Sequence, residues 1–358
     1  MKINRVERLL KEMEENNIPQ VLISDAPAIF YLTGKWVDSG SRLIALYLNV
    51  NKDHKFFINE LFPVEEDLAV EKVWFDDTQD PIEVMAEYID KDKTLGIDKN
   101  LPSRYLLKLM ELNSGKDFKN VSPIIDRIRM IKDNEEINLT REASKINDIS
   151  VEKMIELIPE GLTEKEMAQE LGKIYSELGG EGFSFEPIIA YGANAADPHF
   201  VPGDALAKSG DNVLIDIGCI KDHYCSDMTR TVFYKEVSEK HKEIYNIVLE
   251  ANKKAIEIVK PGVRFCDIDK AARDHIVKAG YGKYFTHRTG HSIGIEAHEF
   301  GDVSAVNTDV VEPGMIFSVE PGIYLPGDIG VRIEDLILVT EEGYENLNDY
   351  NKELMIIE

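Results

Sequence analysis

Apolar residues recurring at three- and four-residue steps mark the helices of this chain. Val6, Leu9, Leu10 and Met13 form the first such stripe, the spacing of a helix that buries one face. Met167, Leu171, Ile174, Tyr175 and Leu178 form another, led by a capping-box pair, Thr163 and Glu166, and stopped by Gly179-Gly180. Ile244, Ile247, Val248, Ala251 and Ala255 predict a helix over 238–259, and one more runs from about Asp267 to Gly280. A charged helical stretch begins at about Asn134. These stripes read as core.

Short β-branched and aromatic runs between turn residues predict strands. Val21–Ser24, Arg42–Leu48, Lys55–Ile58 and Leu95–Asp98 alternate with helices, which predicts a mixed sheet flanked by helices. A break around Asn120–Asp126, at Ser122-Pro123, divides the chain into residues 1–125 and 126–358, each long enough to bury its own core.

The later strands carry acids. Asp216 ends an apolar strand over Asn212–Gly218, and Asp227 lies in a second strand predicted over Tyr224–Phe233. Glu320 stands at a strand end before the Pro321-Gly322 turn, and Glu334 lies within a strand predicted over Gly330–Val339. An acid inside an apolar strand is costly unless it is paired or bound to metal. Asp216 and Asp227 alone also fit an ordinary pair of turn or edge-strand aspartates. Two successive acid-bearing hairpins, each with its helices, read instead as an internally duplicated half.

His291 sits in the glycine-punctuated segment Thr286–Gly294. Alone it fits a satisfied core histidine; beside four placed carboxylates it completes a ligand set. Four carboxylates and one imidazole suit two divalent cations, and oxygen-rich donors favour manganese-like ions over thiolate-seeking ones. Two such ions activate water and polarise a carbonyl, the chemistry of a hydrolase. His199, His287 and His298 lie near this set in sequence, and imidazole suits proton movement near neutral pH. His54, His223, His241 and His275 read as surface residues.

The net charge of −25 argues against nucleic acid and anionic membrane surfaces as partners. Cys219, Cys225 and Cys266 have neither an even count nor metal spacing, so they read as reduced thiols. Cys225 lies close enough to Asp227 to face the site, though packing is its simpler role. No signal peptide or bilayer-spanning run is evident, so the expected location is the cytoplasm.

Asp216-Ile-Gly, Tyr224-Cys-Ser-Asp227-Met-Thr-Arg-Thr, Gly290-His291-Ser-Ile-Gly with His298-Glu, Ser318-Val-Glu320-Pro-Gly and Val331-Arg-Ile-Glu334-Asp resemble the pita-bread metallopeptidases. That family includes Xaa-Pro dipeptidases (prolidases), Xaa-Pro aminopeptidases, methionine aminopeptidases and creatinases. The likeness is strong over residues 130–358 and looser before them. Over its whole length the chain looks most like short bacterial prolidases, with Tyr31-Leu-Thr-Gly and Gly280-Tyr-Gly-Lys-Tyr-Phe-Thr-His in support.

The resemblance implies an α/β (α+β) fold. A pita-bread catalytic domain, with a curved mixed sheet and pseudo-two-fold halves, would follow a smaller mixed-sheet N-terminal domain. It implies that Asp216 binds one metal, His291 with Glu320 the other, and that Asp227 and Glu334 bridge them. The ions would be Mn²⁺ first, with Co²⁺ or Zn²⁺ as alternatives. The implied reaction is hydrolysis of Xaa-Pro dipeptides by a metal-bridging hydroxide. Glu320 would relay a proton to the leaving nitrogen, His298 would orient the carbonyl, and His199 would stabilise the intermediate. His287 and Arg332 would hold substrate; Arg332 fits a structural partner of the carboxylates equally well.

The resemblance also implies a homodimer. Trp36–Arg42 reads first as a polar loop, and by resemblance as a cap over a partner's site. The alternatives are an Xaa-Pro aminopeptidase acting on longer proline-containing peptides and, more remotely, a non-catalytic binding protein on the same fold. One departure stands out: Phe300-Gly301-Asp302 occupy the place where some prolidases carry an arginine for the dipeptide carboxylate. The carboxylate would then be held by Arg332, His287 or a neighbouring subunit, or longer peptides would be accepted.

Overall fold

In the computed structural model, which describes residues 1–358, the stripe Val6, Leu9, Leu10 and Met13 is the buried face of helix α1 (Ile3–Glu15). Strand β1 (Gln20–Ile23) and helix α2 (Ala26–Thr33) follow. The Asp25 carboxylate caps α2 by accepting from the Ala28 N–H at 3.1 Å. Next come β2 (Ala45–Asn49), β3 (Lys55–Asn59), β4 (Glu71–Phe75) and α3 (Pro81–Ala86). Then β5 (Leu95–Ile97), α4 (Ser103–Glu111), β6 (Phe118–Asn120) and α5 (Ser122–Met130). The strands form one mixed sheet in the order β4-β3-β2-β1-β5-β6. Two compact units result, Met1–Arg129 and Met130–Glu358. The strand predicted from Arg42 starts only at Ala45, and Ser122-Pro123 opens a helix, since proline is well tolerated in a first helical turn.

The second unit begins with α6 (Asn134–Glu156) and α7 (Glu164–Glu177), both led by complete capping boxes, Asp133 with Glu136 and Thr163 with Glu166. Strands β7 (Gly182–Phe183), β8 (Ile188–Tyr191), β9 (Asn212–Ile217), β10 (Cys219–Lys221), β11 (Tyr224–Cys225) and β12 (Met228–Tyr234) follow. Two more helices, α8 (Glu239–Glu257) and α9 (Phe265–Lys278), lead to β13 (Gly290–Ser292) and β14 (Glu299–Val303). The chain ends with β15 (Ile316–Val319), β16 (Gly322–Leu325), β17 (Ile329–Arg332), β18 (Asp335–Val339), β19 (Tyr344–Asn346) and β20 (Ile356–Ile357).

One order therefore occurs twice: two helices, a strand, and an antiparallel ladder whose connection carries a small hairpin. The first ladder is β9 with β12, interrupted by β10–β11; the second is β15 with β18, interrupted by β16–β17. β8 flanks β9 as β13 flanks β15. Behind the first ladder pack Val151, Met154, Met167 and Leu171 of α6 and α7. Behind the second pack Ile244, Val248, Phe265 and Ile268 of α8 and α9, with Phe265 edge-on to Phe317 at 5.3 Å.

Two predicted strands are broken. The run Tyr224–Phe233 splits at Ser226-Asp227, with β11 and β12 in different sheets. The run Gly330–Val339 splits at Ile333-Glu334, with β17 and β18 likewise divided. At the second break the Glu334 N–H leaves its ladder and donates to the Thr229 carbonyl at 3.1 Å. Alternation is unchanged on either side, so the hydrophobic pattern does not register the bend. At Gly290, next to His291, a Cβ would lie 1.8 Å from the Ser318 carbonyl oxygen; only glycine lets β13 approach β15 so closely. No helix is long and apolar enough to cross a membrane.

Arg230 secures the second break. It is 1 % exposed and donates to the Glu334 carbonyl at 2.5 Å, to Asp335 at 2.8 Å and to the Tyr350 carbonyl at 2.8 Å. Replacing it leaves the buried Asp335 with Lys352 as its one remaining cation, at 2.5 Å. Arg230→Ala is expected to destabilise the unit by about 3–5 kcal/mol, read as a lower urea midpoint by circular dichroism; a midpoint unchanged from the parent would contradict this role.

Candidate metal centre

A cavity of about 900 Å³ opens in the second unit, and all of the predicted site residues line it: Asp216, Asp227, His291, Glu320, Glu334, His199, His287, His298 and Arg332. Asp216 is next to last in β9, and Glu320 follows β15 directly. Asp227 and Glu334 occupy the two strand breaks, and His291 is the middle residue of β13. The His291 Nε2 lies 3.4 Å from Glu320 and 3.6 Å from Asp227. Asp227, His291 and Glu334 each present one donor atom, all within 4.8 Å of one another.

Neighbours that the sequence left unmarked hold these groups. The Thr229 hydroxyl donates to Glu334 at 2.7 Å, and Ser318 donates to Glu320 at 3.2 Å while accepting from the His291 N–H at 3.0 Å. Arg332 is 3 % exposed and pairs with Asp216. It also donates to Thr229 at 3.1 Å and to the Tyr324 hydroxyl at 2.8 Å. Arg332 is therefore a partner of the Asp216 carboxylate as well as part of the wall. Lys132 and Glu299, paired at 3.0 Å and both buried, hold the turn that carries His298, for Glu299 also accepts from the Ile295 N–H at 2.9 Å. Glu299 lay in plain view beside His298, and an acid adjoining a site histidine was the available signal.

The donor set fits divalent cations. Burial drives the Asp227 and Glu334 carboxyls well above the usual range, and the neighbouring carboxylates push both further. Burial likewise raises Glu320, to about 7. One oxygen each of Asp216 and Asp227 is buried with no hydrogen-bond partner, an arrangement that calls for a proton or a metal. Burial, with help from His298, lowers His291 to about 3; the neutral imidazole is the form that ligates.

The other histidines differ in freedom. His287 is fixed at both nitrogens, with Nδ1 on the Arg288 carbonyl at 2.7 Å and Nε2 on the Tyr324 hydroxyl at 2.8 Å. A carbonyl only accepts, so Nδ1 carries the proton and Nε2 accepts from Tyr324. Burial lowers His287 to about 4. His298 is exposed, its ring 4.1 Å from that of His291, and burial of its inner edge lowers its pKa as well. His199 is exposed on the segment after β8. Buried Glu164 ties that segment down, accepting from the Tyr191 N–H at 2.8 Å, Asn194 at 2.8 Å and the Gly203 N–H at 3.1 Å.

Cys225 packs away from the cavity, its thiol 3.4 Å from the Ile295 carbonyl. The four histidines predicted as surface residues are half-buried. His241 in particular reaches Asp328 at 3.0 Å, because the first turn of α8 meets the turn between β16 and β17.

Comparison with known proteins agrees with this geometry. Residues 138–341 match metallopeptidase family M24, and residues 5–131 match the creatinase/prolidase N-terminal domain. An uncharacterized peptidase of Staphylococcus aureus is 38% identical over 354 residues, 98% of this chain and 100% of that protein. The prolidase from Pyrococcus horikoshii OT3 is 36% identical with a TM-score of 0.90, over 98% of this chain and 100% of that one. The Xaa-Pro dipeptidase from Bacillus anthracis is 32% identical with a TM-score of 0.92, over 100% of both chains. The two broken ladders are the pseudo-two-fold halves of the pita-bread fold, and the chain belongs to metallopeptidase family M24, an enzyme family that works with divalent metal ions.

Proposed function

We propose that this metallopeptidase hydrolyses Xaa-Pro dipeptides and releases proline. The observation that carries the reading is the convergence of five metal-binding side chains, two with orphaned oxygens, on one cavity. Phe185, Ile188, Pro198 and Phe200 on its wall suit an apolar ring, and the similar proteins named prolidase and Xaa-Pro dipeptidase favour proline. In this proposal Asp216, Asp227, His291, Glu320 and Glu334 hold two divalent ions, Mn²⁺ first given the oxygen-rich donors. Such ions supply Lewis acidity and a strong oxygen nucleophile near neutral pH.

The side chains do the rest. Glu320 takes the proton released on attack and passes it to the proline nitrogen, which must be protonated to leave as an amine. His298, held neutral, donates toward the scissile carbonyl, and His199 closes over the intermediate from the exposed side. His287 and Arg332, both bonded to Tyr324, fix the substrate-facing wall. The enzyme is proposed to work as a homodimer, which light scattering would read directly. The second reading is an Xaa-Pro aminopeptidase; it is favoured by Asp302, which faces Asn307 and supplies no positive charge.

Metal-reconstituted protein assayed on Ala-Pro beside Ala-Pro-Ala decides between the two. Cleavage confined to the dipeptide is the expected result, and efficient release of alanine from the tripeptide would assign the aminopeptidase. Chelation should abolish either activity, with Mn²⁺ or Co²⁺ restoring it. Asp227→Ala is expected to lower kcat/KM more than about 100-fold, beyond the loss typical of an outer-sphere partner, in a protein that stays folded; an unchanged rate would remove Asp227 from the ligand set.

The raised carboxyls also set a pH dependence. Their folded-state pKa values exceed the unfolded ones, so without cations they contribute most below about pH 4.5, and Glu320 loses its contribution as pH rises through about 7. Cations reverse this by stabilising the ionised forms. The gain in Tm on adding Mn²⁺ should therefore be larger at about pH 8 than at about pH 5. A gain independent of pH would mean that Mn²⁺ binds elsewhere.

A further inference from the structure

Two cationic side chains line the cavity, Arg288 and Arg332, and only one is free. Arg332 is buried and committed to Asp216, Tyr324 and Thr229. His287, the next candidate for a positive charge, is bonded at both nitrogens and held neutral near pH 7. The Arg288 side chain is exposed and has neither a hydrogen bond nor an ion pair, while its backbone is fixed. Its carbonyl accepts from His287, and the next residue, Thr289, is buried, donating from its N–H to Val303 at 2.8 Å and from its hydroxyl to Asp269 at 2.8 Å. Arg288 is thus an unpaired guanidinium on a rigid base three residues before His291.

A dipeptide carries a carboxylate one residue beyond its scissile bond, so that charge must enter the cavity with it. The wall it meets is rich in acids: Glu186, Asp216, Asp227, Glu320 and Glu334. Placing a carboxylate there requires a cation close to the ligands and not already spent on them. We propose that Arg288 binds the C-terminal carboxylate of the substrate and so makes this enzyme selective for dipeptides. The guanidinium fork matches a carboxylate with two parallel hydrogen bonds, which a lysine cannot reproduce.

The assignment rests on the dipeptidase reading, and the experiment separates the two. Metal-reconstituted wild type, Arg288→Gln and Arg288→Lys are assayed on Ala-Pro and on Ala-Pro amide, which has the same scissile bond and no carboxylate. Wild type should favour the acid. Arg288→Gln should lose about 10- to 100-fold in kcat/KM on Ala-Pro, the value of a hydrogen-bonded charge pair. The loss should fall mainly on KM, with the amide unaffected and Arg288→Lys in between. Because Arg288 has no partner in the fold, neither variant removes a structural bond. Equal losses on acid and amide, or no loss, would overturn the assignment and leave the peptidase standing. Wild type inert on both substrates would overturn the dipeptidase reading, and this assignment with it.

Discussion

Asp216, Asp227, Glu320 and Glu334 converge in one cavity largely withdrawn from water, and like charges so placed cannot all ionise unaided. Each surrounding group answers that repulsion. Arg332 sits against Asp216, and Thr229 and Ser318 direct hydroxyl hydrogens at Glu334 and Glu320. His291 stays neutral, so it can donate a lone pair where another cationic side chain would have paired off the acids. Two carboxylate oxygens are still left over. The fold thus holds an unfinished charge balance in place, which the two divalent ions of the proposed function would complete.

Holding acids there takes special backbone. A regular ladder would satisfy the main chain but point alternate residues to opposite faces. Breaking the strand at Asp227 and again at Glu334 lets each acid turn inward while its flanks stay paired in different sheets. Such a break threatens to orphan peptide groups, and a main-chain group at each break finds a partner. The Ser226 N–H finds Cys219 at 2.8 Å, and Glu334 finds Thr229 at 3.1 Å. Arg230 then covers the Glu334 carbonyl, and the buried Asp335 balances Arg230 in turn.

The acids proposed as ligands stood out in the sequence because an acid amid apolar β-branched residues is costly and so demands a reason. Glu320 and Glu334 had the further signal of turn residues close by. Most helices were legible from their stripes, α7 also from its capping box, and α6 only as a charged helical stretch, its Asp133–Glu136 box passing unread. The strand breaks were not, since hydrophobic alternation reads the same on both sides of a bend. Arg332 stayed undecided because its pairing with Asp216, far away in the chain, is visible only in the fold. Arg288 adjoins a quoted motif, yet nothing local separates an arginine that faces a cavity from one that faces solvent; only the loss of every competing cation to a partner singles it out.

The seam between the two ladders has a consequence for descent. Thr229, Arg230 and Thr231 bond to Glu334 and Arg332, and Asn212 bonds to Gly330 at 2.7 Å. Every such bond joins one repeat to the other. Each repeat also brings only part of the donor set: Asp216 and Asp227 from the first, His291, Glu320 and Glu334 from the second. A shorter ancestor carrying a single repeat could have assembled this centre only as a pair of chains, with the seam as its subunit interface. Joined in one chain, such copies would be free to diverge, one with an imidazole and the other with aspartates alone. An equilibrium between partners would then become a permanent property of a single molecule.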